Sequence, residues 1–307
     1  MGRTYIMVDW SRCDGCMKCV RVCDRGAIVS AATDAVARAR TATRPQGVKP
    51  VVAAKIPATP RALAAHSVTV GGFTWTILEA AAMLSVTFAA FMVKELFLAS
   101  SLVRALPPEA LVGVRAFALA GYYAVQLSVL RYLLRRRDGV FRDALGLSRQ
   151  HDSAGQIAAS VGLVLAGVAG TRVIATVYSM ITRSLGLMPD AGADTITHVF
   201  GTSVGGLVLA SVMLVVVGPF VEECVFRGAL LRGLEARIGA WPAIVAQAAL
   251  FAAFHRSWWL LFPMTVLGIA LGWLAHERKS LWPAIALHAA YNAITVGAVI
   301  WLLHVGG

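Results

Sequence analysis

The sequence predicts an all-α polytopic membrane protein with about seven transmembrane helices, roughly six to eight, and a small polar extension at the amino terminus. Of its 307 residues, 58% are hydrophobic and only 14% are charged, whereas an ordinary soluble domain carries about 25% charged residues. The mean hydropathy is +0.71. From Phe73 onward the chain is almost continuously apolar. These observations argue against a soluble enzyme and against a disordered protein.

Seven candidate spans follow one another in the apolar part of the chain. They are predicted at about 74–101, 110–134, 154–181, 202–230, 241–257, 260–276 and 281–304. The fourth contains Gly218-Pro219. A kink or a broken helix is expected there, because proline lacks the backbone donor that a continuous helix requires.

Charge predicts the orientation in the membrane. The net charge is +12, and positive residues of membrane proteins gather in cytoplasmic loops. Basic residues end the second, fourth and sixth predicted spans at Arg135–Arg137, Arg232–Arg237 and Arg278-Lys279. Arg outnumbers Lys and Ala is abundant, which is typical of proteins encoded by GC-rich bacterial genomes, so we expect a bacterial inner membrane. The charge pattern predicts that the amino terminus lies in the cytoplasm. No continuous basic helix is visible, so no nucleic-acid partner is expected.

Ionisable residues inside apolar spans are costly and are therefore candidates for function. Three groups stand out in the second half of the chain: Glu222, Glu223 and Arg227 in EECVFR, His255 in FAAFH, and His288 and Asn292 in HAAYN. At 1.5 Å per residue, Glu222 comes to lie ~15 Å from Arg232, Asn292 ~16 Å from Leu281 and His255 ~20 Å from Trp241, with His288 shallower than Asn292. The groups should therefore meet near the middle of the bilayer.

Helical spacing separates the roles of the two adjacent glutamates. Glu223 and Arg227 are four positions apart, with the acid first, which favours an ion pair on one helix face. Glu222 is rotated by ~100° and can face elsewhere. A carboxylate in an apolar cavity can act as a general base on water, and imidazole and carboxamide groups can donate hydrogen bonds to an oxyanion. This chemistry suits hydrolysis of an acyl carbon, such as that of a peptide bond.

The three motifs resemble those of the CAAX-protease and bacteriocin-processing family of intramembrane proteases. EECVFR is similar to the family's EExxxR motif, FAAFH to FxxxH and HAAYN to HxxxN, in the same order. The flanking segments FRGALLRGLEARIG and SLWPAIALHAAYNA are also similar. The resemblance covers about residues 150–304, within a predicted protease domain at 73–307 whose motif core is 202–304.

The resemblance implies a role for each residue. Glu222 is expected to activate water with His255 as its partner, and His288 with Asn292 to form the oxyanion hole. Glu223 and Arg227 are expected to organise the site. A glutamate-type mechanism without a catalytic metal is favoured, although zinc at Glu222, His255 and His288 stays open.

Four cysteines near the amino terminus predict a second cofactor site. CDGCMKCVRVC places Cys13, Cys16, Cys19 and Cys23 at the CxxCxxCxxxC spacing of bacterial ferredoxins, which implies a 4Fe-4S cluster. Asp24 replaces the usual proline, and a zinc knuckle or free thiols remain alternatives. Since only one run is present, Cys23 closes the same cluster or a second chain or redox partner supplies a ligand. This ferredoxin-like extension is predicted at 1–30, followed by a flexible basic linker at 31–72.

These features predict an intramembrane endopeptidase that cleaves a membrane-embedded protein or peptide, for maturation or for removal of a sorting signal. Two alternatives stay open. The first is a membrane redox protein that passes electrons through the cluster, although EExxxR has no role in such a scheme. The second is a non-enzymatic immunity or scaffold protein with the same fold, against which the complete set of site residues argues.

Overall fold

The computed structural model of the chain describes residues 69–70, 73–148, 153–187 and 192–305. The predicted cysteine motif at 1–30 and nearly all of the predicted linker at 31–72 lie outside these ranges and stay predictions. The described part starts with two short antiparallel strands, β1 (Thr69–Val70) and β2 (Phe73–Thr74). All further elements of the described ranges are helices.

The helices are numbered in chain order. They are α1 (Ile77–Leu98), α2 (Ser101–Arg104), α3 (Pro108–Arg135), α4 (Phe141–Ala144), α5 (Ala154–Ser184), α6 (Gly192–Phe200), α7 (Val204–Ile238), α8 (Ala240–Phe254), α9 (Trp258–Arg278) and α10 (Trp282–Val305). Six of them are long and apolar enough to cross a membrane within the described part, namely α1, α3, α5, α7, α9 and α10. The prediction of an all-α multi-pass membrane protein is therefore confirmed.

Two of the spanning helices begin with the same local sequence signal. At the start of α1, the Thr76 side chain accepts from the Glu79 backbone N–H, and the Glu79 carboxylate accepts from the Thr76 backbone N–H. Ser153 and Gln156 form the equivalent capping box at the start of α5. Each box satisfies backbone donors that a helix start leaves without partners.

The fifth predicted span is a helix, but it is too short to cross a bilayer. α8 has 15 residues, hence about 22 Å of length against a hydrocarbon core of about 30 Å. The predicted span 241–257 is corrected accordingly: the helix ends at Phe254, and a short connection at 255–257 leads into α9. His255 is therefore the first residue after the carboxyl end of α8.

The helix α7 continues through Gly218-Pro219, where a kink or break was expected. Two π-helical segments, Val212–Val217 and Cys224–Leu230, flank a short α-helical segment, Gly218–Glu223. The wider turn that ends at Val217 puts Pro219 at the start of an α-helical segment, where a missing backbone donor is tolerated. π-Helical turns are frequent at functional sites, and here they lie on both sides of the two glutamates.

Small residues let α8 and α9 pack closely as an antiparallel pair. A Cβ at Gly268 would lie only 2.9 Å from both Cα and Cβ of Ala248. One turn further along α9, a Cβ at Gly272 would lie 2.5 Å from the Gln247 amide nitrogen. Glycine and alanine allow such close approach of helices in membranes, and the packing fixes α8 and therefore His255.

One of the basic residues near the end of the fourth predicted span is buried inside the protein. Arg232 is only 4% exposed and donates to the backbone carbonyls of Ala144 and Leu145, at 2.6 and 3.1 Å. The following residue, Gly146, has φ +68°, and a Cβ there would lie 2.9 Å from the Arg232 guanidinium. Arg232 thus fastens the segment after α4 to the end of α7.

Candidate active site

Two helices and the end of a third carry the predicted site residues. α7 carries Glu222, Glu223 and Arg227, α10 carries His288 and Asn292, and His255 follows the last residue of α8. Direct contacts join His288 to both glutamates, and Glu223 to Arg227. His255 and His288 pack against the same ring, that of Phe251, and Asn292 donates to the Leu214 carbonyl.

The adjacent glutamates differ in exposure and in partners. The Glu223 side chain is fully buried, and its Oε1 accepts from Arg227 Nη1 at 2.9 Å and from His288 Nδ1 at 2.8 Å. The Glu222 side chain is 22% exposed and lies with Oε2 3.8 Å from His288 Nε2. Its Oε1 accepts from the Tyr123 hydroxyl at 2.9 Å. Only Glu222 of the two can reach water or a substrate.

Arg227 contacts residues of α7, α8 and α9 inside the helix assembly. Its side chain is fully buried, donates through Nη2 to the Gly268 carbonyl at 3.3 Å and lies 4.4 Å from the centre of the Phe251 ring. The Gln247 amide donates to the same carbonyl at 3.0 Å. These contacts join α7, α8 and α9 at the level of the glutamates.

The imidazole of His255 has a defined orientation. Its Nδ1 lies 3.0 Å from the Phe251 backbone carbonyl. Since a carbonyl only accepts, Nδ1 carries the hydrogen and the Nε2 of the neutral ring has a free lone pair. The side chain is exposed. Such a ring can accept a hydrogen bond from water.

Phe251 separates the two histidines of the site. Its ring packs edge-on against His255 at 4.8 Å and against His288 at 5.6 Å between ring centres. The aromatic edge keeps both imidazoles apart and in fixed planes. The first residue of the FxxxH motif is therefore a spacer between imidazoles.

Asn292 joins α10 to the first π-helical segment of α7. Its Nδ2 donates to the Leu214 carbonyl at 2.8 Å. A carboxamide nitrogen has two hydrogens, so one N–H remains for another acceptor. Asn292 and His288 can both donate a hydrogen bond to one negatively charged oxygen of a bound substrate only if that oxygen lies between α7 and α10.

Sequence reasoning missed two residues that bear on the site. Tyr123 on α3 contacts Glu222, and the only hint in the sequence is a pair of tyrosines in an apolar span. Arg172 on α5 donates to the Tyr291 backbone carbonyl and to the Thr295 hydroxyl on α10, and it lies 3.7 Å from the centre of the Tyr291 ring.

The described residues contain no group of three or more His, Cys, Asp or Glu side chains placed to hold a metal ion. The zinc set that the sequence left open, Glu222, His255 and His288, is thus not assembled as a ligand cluster. The cysteines Cys13, Cys16, Cys19 and Cys23 lie outside the described residues.

Replacing Arg227 by Leu is predicted to destabilise the protein, because the buried Glu223 carboxylate would lose its guanidinium partner. The expected loss is about 3–5 kcal/mol, and the double replacement Glu223→Gln with Arg227→Met should recover part of it. Thermal midpoints of the detergent-purified variants measure this, with Glu222→Gln as the matched control that keeps the wild-type midpoint. A double variant as unstable as Arg227→Leu would show that the ion pair is not the cause.

Comparisons with known proteins agree with the motifs and the geometry. Residues 203–294 match the family model described as type II CAAX prenyl endopeptidase Rce1-like, and residues 6–29 match that of the 4Fe-4S binding domain. Searches of curated proteins and of solved structures give no match. The first range contains all three sequence motifs, and the second contains all four clustered cysteines. The chain therefore carries an Rce1-like domain of the intramembrane CAAX-type proteases, which are membrane peptide hydrolases, together with a 4Fe-4S binding domain near its amino terminus.

Proposed function

We propose that this protein is a glutamate-type intramembrane endopeptidase that hydrolyses a peptide bond in a membrane-associated protein or peptide. The observation that carries the proposal is the division between the two adjacent glutamates. Glu223 is fully buried and paired with Arg227, whereas Glu222 is partly exposed and lies 3.8 Å from His288 Nε2. An accessible carboxylate next to fixed hydrogen-bonding groups is suited to general-base activation of water.

In the proposed first step, Glu222 removes a proton from water while the oxygen attacks the scissile carbonyl carbon. His255 supports this step because its Nε2 can accept a hydrogen bond from the same water. The tetrahedral intermediate then collapses, the C–N bond breaks, and Glu222 returns the proton to the leaving amine. Atoms and charges balance without a covalent enzyme intermediate.

His288 and Asn292 are proposed to stabilise the negative oxygen of the intermediate. Glu223 holds His288 through Nδ1, so that Nε2 faces the side of Glu222. Donation from Nε2 to the oxyanion requires a hydrogen on that nitrogen in addition to the one on Nδ1. Asn292 contributes the N–H that Leu214 does not use. Donors fixed before the reaction act mainly on the transition state.

The substrate is proposed to be a membrane-embedded protein or peptide that loses a leader or a sorting signal, in a bacterial inner membrane. The apolar spans around the site favour such a substrate, since a peptide bond must reach Glu222 within the bilayer. The rival function as an electron carrier is not favoured, because Glu223 and Arg227 form a sealed ion pair that has no part in electron transfer.

The change Glu222→Gln is predicted to abolish cleavage while the protein still accumulates in the membrane. The measurement is quantitative profiling of new peptide termini in membranes of a deletion strain that expresses wild type or variant. Termini that depend on wild type identify the substrate. Glu277→Gln is the matched control, because Glu277 is an exposed glutamate near the end of α9. Wild-type cleavage by the Glu222 variant would contradict the assignment of the base.

A glutamate-type mechanism also predicts that the purified enzyme keeps its activity after exhaustive treatment with a zinc chelator. Cleavage of a quenched fluorescent peptide that spans the identified site measures this. Loss of activity that one equivalent of zinc restores would make the site histidines metal ligands instead.

The amino-terminal cysteines are proposed to serve regulation or docking of a partner rather than the hydrolysis itself. Four thiolates at ferredoxin spacing suit a 4Fe-4S cluster, with Cys13, Cys16, Cys19 and Cys23 as its ligands. A bound cluster supplies electron transfer or redox sensing, and peptide hydrolysis transfers no electrons. A second chain or redox partner at this motif belongs to the same proposal.

Changing Cys13, Cys16 and Cys19 to Ser is predicted to remove the cluster while cleavage of the quenched peptide by purified enzyme stays near the wild-type rate. Absorption and paramagnetic-resonance spectra of anaerobically purified protein follow the cluster, and the peptide assay follows turnover. A triple variant as inactive as Glu222→Gln would show that the cluster is integral to the active enzyme.

A further inference from the structure

We propose that Tyr123 is a positioning residue for the base: its hydroxyl orients the Glu222 carboxylate, and Gly218 provides the space that this hydroxyl needs. This inference rests on the proposed role of Glu222. Tyr123 lies on α3, outside the range 203–294 that matches the Rce1-like family. The contact therefore adds a helix to the site that the three motifs do not include.

The first observation is the hydrogen bond itself. Tyr123 is only 5% exposed, and its hydroxyl donates to Glu222 Oε1 at 2.9 Å. A hydrogen bond to a charged acceptor in a water-poor site is stronger than a neutral one. With Oε1 occupied, Oε2 is the oxygen that lies on the side of His288. The phenol thus determines which carboxylate oxygen is left for a water molecule.

The second observation is independent of the first and concerns the backbone of α7. A Cβ at Gly218 would lie 2.9 Å from the Tyr123 hydroxyl and 3.0 Å from the Met213 carbonyl. Glycine at this position allows the hydroxyl to pass close to α7 and reach Glu222 one turn further along. The contact therefore depends on two residues of different helices. Tyr123 supplies the hydroxyl, and Gly218 lacks the Cβ that would crowd it.

The alternative is that Tyr123 only fills space in the core. Its ring packs against the ring of Tyr122 at 5.4 Å between centres, and a phenylalanine would keep that packing. The positioning role differs in what it predicts, because an unfixed carboxylate lowers turnover without weakening substrate binding. A small misplacement of a catalytic group can reduce the rate by about 100-fold.

The test uses full-length protein in detergent and the quenched fluorescent peptide from the termini profiling. Tyr123→Phe is expected to lower kcat by about 10- to 100-fold with unchanged KM and an unchanged thermal midpoint. Tyr122→Phe is the matched control, since it removes the neighbouring hydroxyl of the same ring pair, and it should keep wild-type kcat.

Gly218→Ala is a second variant, and it changes the identity of neither Tyr123 nor Glu222. The added methyl group displaces the Tyr123 hydroxyl, so kcat should fall here as well. Combined with Tyr123→Phe, Gly218→Ala should cause little further loss, because both changes act through one contact. Additive losses in the double variant would show that the two residues act separately.

Wild-type kcat in Tyr123→Phe, or an equal loss in Tyr122→Phe, would overturn the proposal. These results are distinct from failure of the proposed function. If Glu222→Gln is inactive while Tyr123→Phe has wild-type kcat, Glu222 remains the base and only the positioning role is lost. If Glu222→Gln is fully active, the base assignment fails whatever Tyr123→Phe does.

Discussion

The buried ion pair between Glu223 and Arg227 is the interaction on which the rest of the site depends. Two charges without water contact are tolerated only where each has close partners. Here Glu223 also accepts from His288, and Arg227 also donates to the Gly268 carbonyl. The pair therefore ties α7 to α9 and α10 and fixes one imidazole. Because these groups are fixed and buried, Glu222 is the only one of the two glutamates whose carboxylate is accessible.

The backbone of α7 is irregular on both sides of the two glutamates. The π-helical segments before and after Gly218–Glu223 change the helical phase on both sides of the glutamates. They also let the helix run through Pro219, and a carbonyl of the first segment accepts from Asn292. A regular helix with proline in its interior would lose a backbone hydrogen bond.

Much of the site could be predicted from the sequence because its parts lie within single helices. The spacing of Glu223 and Arg227 predicted their ion pair, and the structure shows it at 2.9 Å. The Tyr123 contact could not be predicted, because it depends on how α3 packs against α7, and no periodicity records that. The predicted end of α8, at 257, was too late, although the polar residues His255-Arg256-Ser257 directly follow Phe254 and mark where the helix stops. Gly218-Pro219 predicted a kink or a break in the helix but not the two π-helical segments that the structure shows.

In this proposal the two adjacent glutamates have different roles: Glu222 acts in catalysis, whereas Glu223 stabilises the structure. The most direct measurement compares Glu222→Gln and Glu223→Gln for single-turnover cleavage rate and thermal midpoint under the same conditions. The account predicts that Glu222→Gln loses cleavage with a wild-type midpoint, and that Glu223→Gln lowers the midpoint while some cleavage remains. The reverse pattern, with an inactive but stable Glu223 variant and an active Glu222 variant, would contradict it.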